Sequence, residues 1–242
     1  AIVWPESGEQ VAALVARASF RIRLGDPESA EADLNEALRR HLVADDPLRA
    51  EALLHAGHAR LLRGRFAEAR AALEACIALA RACGRQRVLA EALGRLGRAV
   101  LDEGRHEEAR SLFEESLAVA KEVGSTAAVL FATNQLGLVE YFAGDLDEAE
   151  RRLSSALALA RAEGNRPGAV SALQGLGFVA EDRGELDAAA AFYREALAAA
   201  RANGDRYAAG RCLMVLGEVE RKRGEGGAAR TYYEEALDLA RP

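Results

Sequence analysis

The sequence predicts an all-α protein, a solenoid of six helix pairs, about twelve helices. Three observations predict it. The first is a ladder of small residues with a 40-residue period: Gly57, Gly97, Gly137, Gly177, Gly217; Gly64, Gly104, Gly144, Gly184, Gly224; Ala69, Ala109, Ala149, Ala189, Ala229; and Gly84, Gly124, Gly164, Gly204. A fixed period of this size marks stacked supersecondary units, each burying its apolar face against its neighbours. The second is that each period holds two stretches, such as 127–143 and 146–163, with apolar residues three and four apart. The third is composition: five prolines in 242 residues, abundant alanine, 50% apolar and 29% charged, as in a helix-rich folded chain.

In chain order, Ser7 with Gln10 three residues on predicts a capping box, opening a helix from Gly8 to about Leu24. Gly25-Asp26-Pro27 ends it, and Pro27 suits the first turn of the next helix, which runs to about Leu42 and stops at Asp45-Asp46-Pro47. This pair is a first repeat, one residue short. Gly25, Ala30, Leu34 and Ala37 stand for Gly64, Ala69, Leu73 and Cys76, and Ala18 replaces Gly57. The expected organisation is one solenoid domain over 1–242, with repeats near 7–46, 47–86, 87–126, 127–166, 167–206 and 207–242. Each second helix opens with acids (Glu68, Glu107, Glu148, Asp187). Each closes with a base (Arg81, Lys121, Arg161, Arg201) before its glycine. Those charges suit the helix dipole, and the glycine suits a left-handed cap.

Gly57 and its series fall inside helices, where glycine costs roughly 1 kcal/mol relative to alanine. Close approach of the two helices of a pair offsets that cost. Ala69 and its series are the expected small partner, with Leu73, Phe113, Leu153, Tyr193 and Tyr233 supplying bulk four residues later.

Leu136-Gly137, Gly144, Ala149, Leu153 and Ala156, repeated as Leu176-Gly177, Gly184, Ala189, Tyr193 and Ala196, resemble the tetratricopeptide repeat over essentially the whole chain. The family's usual unit has roughly 34 residues and ends in proline; here Arg161 takes that place and the helices run on to Gly164. The longer unit resembles repeats of signalling scaffolds and of bacterial STAND-type and LuxR- or AfsR-like regulators. The resemblance implies a right-handed superhelix whose first helices line a concave groove. It further implies a protein or peptide partner held in that groove.

The expected groove stripe comprises Phe131, Asn134, Leu138, Tyr141 and Phe142, with Gln174, Phe178 and Glu181 in the next repeat and Arg95 and Arg98 in the one before. These positions differ between repeats while the framework does not. Residue 134 corresponds to Leu54, Gly94, Gln174 and Met214, and residue 138 to His58, Arg98, Phe178 and Glu218. A ligand surface produces this pattern, and so do unconstrained solvent positions. The rings of Phe131, Tyr141, Phe142 and Phe178 supply area, and the amides of Asn134, Gln135 and Gln174 supply hydrogen bonds, for an extended or helical peptide. The alternative is packing of Phe142 and Phe178 between repeats. Arg95 and Arg98, three apart on one helix, can pair a carboxylate; the alternative is a solvated face beside Glu91 and Asp102. The dicarboxylate clamp of chaperone-binding members, lysine and asparagine on successive first helices, is not matched, since Asn134 stands alone.

Other functions find little support. Net charge is −6, which gives no electrostatic reason to expect nucleic acid or an anionic membrane as partner. No run is long enough to span a membrane, and no signal segment opens the chain. His55 and His58 share a face but lack a third ligand. Glu181 and Asp182 are adjacent in sequence with no base or nucleophile. GEGG at 224–227 lacks the lysine of a phosphate loop, and HExxH, CxxC and GxSxG are missing. No cofactor, metal or catalytic residue is therefore expected. Cys76 and Cys83 are about 10 Å apart along one helix, too far for a disulfide, and a reducing cytoplasm is expected. Arginine-rich basic composition suggests a bacterial source. The sequence ends at Pro242 within the last pair, leaving Leu216, Val219, Tyr232 or Leu239 as candidates to face water. Self-association there, or a place as a sensor segment in a larger STAND-type ATPase or transcriptional regulator, is the alternative to a free-standing scaffold.

Overall fold

A computed structural model describes residues 8–40 and 47–241. Twelve α-helices, and no strand among the described residues, follow in order: α1 Gly8–Arg23, α2 Pro27–Arg39, α3 Pro47–Leu62, α4 Phe66–Ala82, α5 Gln86–Asp102, α6 His106–Glu122, α7 Thr126–Ala143, α8 Leu146–Ala162, α9 Arg166–Asp182, α10 Leu186–Ala202, α11 Arg206–Lys222 and α12 Gly226–Ala240. These match the expected pairs. The second helix ends at Arg39, with Arg40 as its C-cap, about three residues before the expected end near Leu42, while the Ser7 cap and the Asp45-Asp46 stop lie outside the described residues. The chain divides into two compact units, Ala1–Ala132 and Thr133–Pro242, with the boundary inside α7.

Turn chemistry fixes where helices stop. Gly144 has φ 85° between α7 and α8, and Gly164 has φ 62° between α8 and α9, a region closed to most side chains. Helix starts are held by Asp145 Oδ1 accepting from the Glu148 backbone N–H at 3.0 Å, by Asn165 from Gly168 at 2.9 Å and by Asp205 from Ala208 at 2.9 Å.

The interior glycines set the spacing within each pair. A methyl group on Gly57 would stand 2.6 Å from Leu73 Cγ, on Gly97 2.8 Å from Phe113 Cε1, on Gly137 2.7 Å from Leu153 Cγ and on Gly217 2.5 Å from Tyr233 Cε1; on Gly177 it would strike the Tyr193 ring. The bulky residue itself seats on the glycine. Ala69 offers Gly57 only its carbonyl oxygen, at 3.4 Å. The alanines serve the neighbouring interfaces and are buried throughout.

The closing bases do more than answer a dipole. Arg81 reaches Glu115 at 2.5 Å, Arg161 reaches Glu195 at 2.6 Å and Arg201 pairs with Glu235. Each joins one second helix to the next, with a 34-residue separation. These pairs are exposed and each contributes about 0–1 kcal/mol. Deeper charges are neutralised in groups. Glu31, buried in α2, takes Arg60, Arg63 and Arg65 at 3.1, 2.5 and 2.7 Å. Asp33 takes Arg17 and Arg21, both at 2.7 Å. On α3, burial lowers the pKa of His55 to about 4 and that of His58 to about 3, with the Arg95 cation acting in the same direction.

Two expectations follow from this packing. Gly137→Ala should lose about 1–3 kcal/mol by overpacking Leu153, whereas Gly210→Ala in α11, where an added methyl group meets nothing within 4 Å, should gain about 0.5–1 kcal/mol; urea unfolding midpoints of the two variants must move in opposite directions. The histidines should make stability fall on acidification. Below about pH 6.5 the unfolded chain binds protons that the folded His55 and His58 do not, so stability is lost as pH falls toward their folded values. Between about pH 7.5 and about pH 5.5 the loss should be about 1–3 kcal/mol, and the double variant His55→Gln/His58→Gln should flatten the pH dependence of the denaturation midpoint.

Candidate functional site

In the second unit, the first-helix positions of α7 and α9 form a row of rings. Phe142 meets Tyr141 edge-on with centroids 5.3 Å apart, Tyr141 stacks on Phe178 at 5.9 Å and 29°, and Phe178 meets Tyr193 edge-on at 6.0 Å. The row runs from solvent inward. Phe142 is 55% exposed, Tyr141 and Phe178 are half-buried, and Tyr193 is fully buried against Gly177. Leu138, also half-buried, lies beside Gly175. Burial, together with a hydrogen bond to the neighbouring Asp182 carboxylate, raises the pKa of Tyr141 to about 12.

Of the expected polar partners, Asn134 and Gln174 lie beneath this surface, 3% and 7% exposed. Gln174 Nε2 donates to the buried Cys212 sulfur at 3.1 Å. The side-chain oxygens of Asn134 and of the neighbouring Gln135 have no hydrogen-bond partner. Glu181 is committed to the framework: it accepts from the Tyr193 hydroxyl at 3.1 Å and from Lys222 Nζ at 2.5 Å, linking α9 to α10 and α11. A helical wheel does not reveal that link, because Tyr193 is 12 residues away and Lys222 is 41.

In the first unit, Arg95 and Arg98 part company. Arg98 is half-buried and pairs with Asp102 at 2.9 Å. Arg95 turns into a cleft of about 200 Å³ lined by Ala90, Glu91, Ser116, Ala127, Ala128 and Phe131. Its Nε is buried with no hydrogen-bond partner, and desolvation lowers its pKa against the opposing pull of Glu91. Phe131, 38% exposed, meets the buried Phe113 edge-on at 6.4 Å. Sequence reasoning missed the cleft walls. The available signal was Gly94, where other repeats carry Leu54, Asn134, Gln174 and Met214.

At the end of the second unit the exposed apolar residues are Tyr207, Met214 and Leu237, which border a groove with Val215, Ala236 and Leu239. Leu216 and Val219, two of the residues expected to face water, are instead fully buried, because the Gly217–Tyr233 contact draws α12 over that side of α11. Cys76 and Cys212 are buried free thiols, and burial raises the pKa of Cys76 to about 12. Among the described residues no cluster of three metal-ligating side chains occurs, and no helix is long and apolar enough to cross a membrane.

The sequence matches the family model for the tetratricopeptide repeat in overlapping stretches, residues 9–82, 48–122, 88–162, 125–202 and 169–241. No curated protein matches it. Among solved structures, the chain is similar to a Rap protein complexed with competence and sporulation factor (TM-score 0.72, 15% identity, 97% of this chain and 75% of that one). It is also similar to BtubC from P. vanneervenii (TM-score 0.64, 18% identity, 96% and 90%). A third is a STAND protein with a tetratricopeptide repeat sensor from Pyrococcus horikoshii (TM-score 0.67, 17% identity, 96% of this chain and 37% of that one). Helix pairs seated on glycine, turn glycines at fixed intervals and matches along nearly the entire length lead to one conclusion: the chain belongs to the tetratricopeptide repeat family.

Proposed function

We propose that this chain is a non-catalytic interaction scaffold that receives a peptide or protein segment on the first-helix face of its fourth and fifth repeats. The observation that carries the reading is the outward half of the aromatic row, Phe142, Tyr141 and Phe178. Packing within a repeat pair is complete without these rings, since Leu153 and Tyr193 already fill the space over Gly137 and Gly177. Half-exposed rings suit an apolar side chain of a bound peptide. The solved Rap proteins support the reading by fold, being described in complex with a Phr* peptide and with competence and sporulation factor. Leu138 belongs to the same face. Asn134, Gln174 and Glu181 act beneath it, as supports of the helices that present the rings. The free thiols of Cys76 and Cys212 fit a reducing compartment such as the cytoplasm.

A second reading is favoured by the STAND protein whose repeats form a sensor. In it, ligand binding on the same face shifts the conformational balance of further domains. The genomic reading frame around this segment distinguishes the two: an ATPase or DNA-binding domain in the same frame supports the sensor.

Peptides selected from a random display library against the chain provide the test. Phe142→Ala should weaken the best binders by about tenfold or more, measured by fluorescence polarisation, while Tyr207→Ala at the far end should leave them unchanged. Phe142 is exposed, so its loss leaves the fold intact; binding indifferent to Phe142→Ala would place recognition elsewhere.

A further inference from the structure

We propose that the cleft around Arg95 in the first unit is a receptor for a carboxylate carried on a small apolar group. The proposal stands apart from the aromatic face of the second unit.

Many arginine side chains elsewhere in this unit are answered by acids. Arg17 and Arg21 share Asp33; Arg60, Arg63 and Arg65 share Glu31; Arg70 pairs with Glu103; Arg98 pairs with Asp102. Arg95 Nε is buried without a hydrogen-bond partner. Taking a guanidinium out of water without an acceptor is costly, and the cost is recovered when an anion enters. Glu91, one turn earlier on the same helix, acts on Arg95 through its field, and no bond between them satisfies Nε. The groups facing Arg95 from α3, His55 and His58, are held neutral by burial. They neither repel Arg95 at neutral pH nor supply the missing negative charge.

The shape of the cleft comes from one small residue. Gly94 carries no side chain, and a methyl group there would stand 3.1 Å from Phe131 Cδ1 and 3.3 Å from Ser116 Oγ. The ring of Phe131 therefore lies close over α5 and forms an apolar wall with Ala90, Ala127 and Ala128. Ser116 spends its proton on the Ala90 carbonyl at 2.7 Å. Its oxygen is left to accept from a ligand N–H. A planar guanidinium with a free N–H edge selects carboxylate. The small apolar wall limits what is attached to it. A peptide C-terminus and a free short-chain acid share this chemistry.

The test is NMR titration of the Arg95 Nε–H resonance in the wild-type chain with N-acetyl-leucine, its amide, and isovalerate. The Nε–H should shift with N-acetyl-leucine and not with the amide, saturating at about 0.1–10 mM. A response to N-acetyl-leucine alone identifies a peptide terminus as the source, and an equal response to isovalerate identifies a small acid; both support the proposal. Arg95→Gln should weaken binding about tenfold or more, read from the Ser116 and Ala128 amides, while Arg98→Gln should leave it unchanged. No shift at about 10 mM of either acid, or an equal shift with the amide, would overturn the proposal. The wild-type titration decides the matter even if Arg95→Gln fails to fold.

Discussion

A bulky side chain pressed onto a bare glycine backbone is the contact on which the rest of this molecule depends. In each pair from α3–α4 to α11–α12 the second helix drives Leu73, Phe113, Leu153, Tyr193 or Tyr233 against a glycine of the first. Helix packing density is set by how closely two axes approach, and here the approach is fixed by the absence of one Cβ. Once it is fixed, the flanking alanines fall into full burial, and the turn glycines need only reverse the chain. The intrinsic cost of glycine within a helix is offset by van der Waals contact along a whole ring or isobutyl group.

That division of labour frees the outer positions of the first helices. Because the framework is satisfied by residues facing the second helix, substitution on the other side changes the surface without disturbing the pair. One repeat uses the freedom for Tyr141 and Phe142, another for Phe178, another for Gly94 and Arg95. The consequences differ in kind. Added rings build outward to a half-exposed apolar row. A deleted side chain at Gly94 lets Phe131 descend and leaves a cleft beside a charged group. Both features arise from the same tolerance.

Electrostatics reinforces the stacking. The pairs from Arg81, Arg161 and Arg201 to Glu115, Glu195 and Glu235 are weak individually and screened by salt. They nevertheless pin the register between consecutive second helices, since a slip of one residue would separate all of them. The buried Glu31 and Glu220 are each met by arginines from more than one position, which keeps their charge compensated inside the fold.

The helix pairs, their boundaries to within about three residues where described, and the close approach of each pair at its glycine were legible in the sequence. Each depends on local chemistry or on a spacing that repeats. That the bulky residue and not the alanine seats on that glycine was not legible there. Periodicity makes Gly137 informative because Gly57, Gly97, Gly177 and Gly217 say the same thing. The site was only partly legible, because its residues are the ones that do not repeat. Helical spacing placed Asn134, Gln174 and Glu181 on the candidate face, but burial of the two amides and the capture of Glu181 by Tyr193 and Lys222 depend on neighbouring helices. Likewise Arg95 and Arg98 look equivalent on one helix, three residues apart. Arg98 takes Asp102 one turn on along its own helix, a pair the spacing offered, but only the tertiary structure gave Arg95 its unanswered place under Phe131. The sequence by itself determined the architecture, because packing that recurs is written in the chain each time. Tertiary structure decided which polar groups meet a partner, because that depends on distances between helices, and no single helix carries that information.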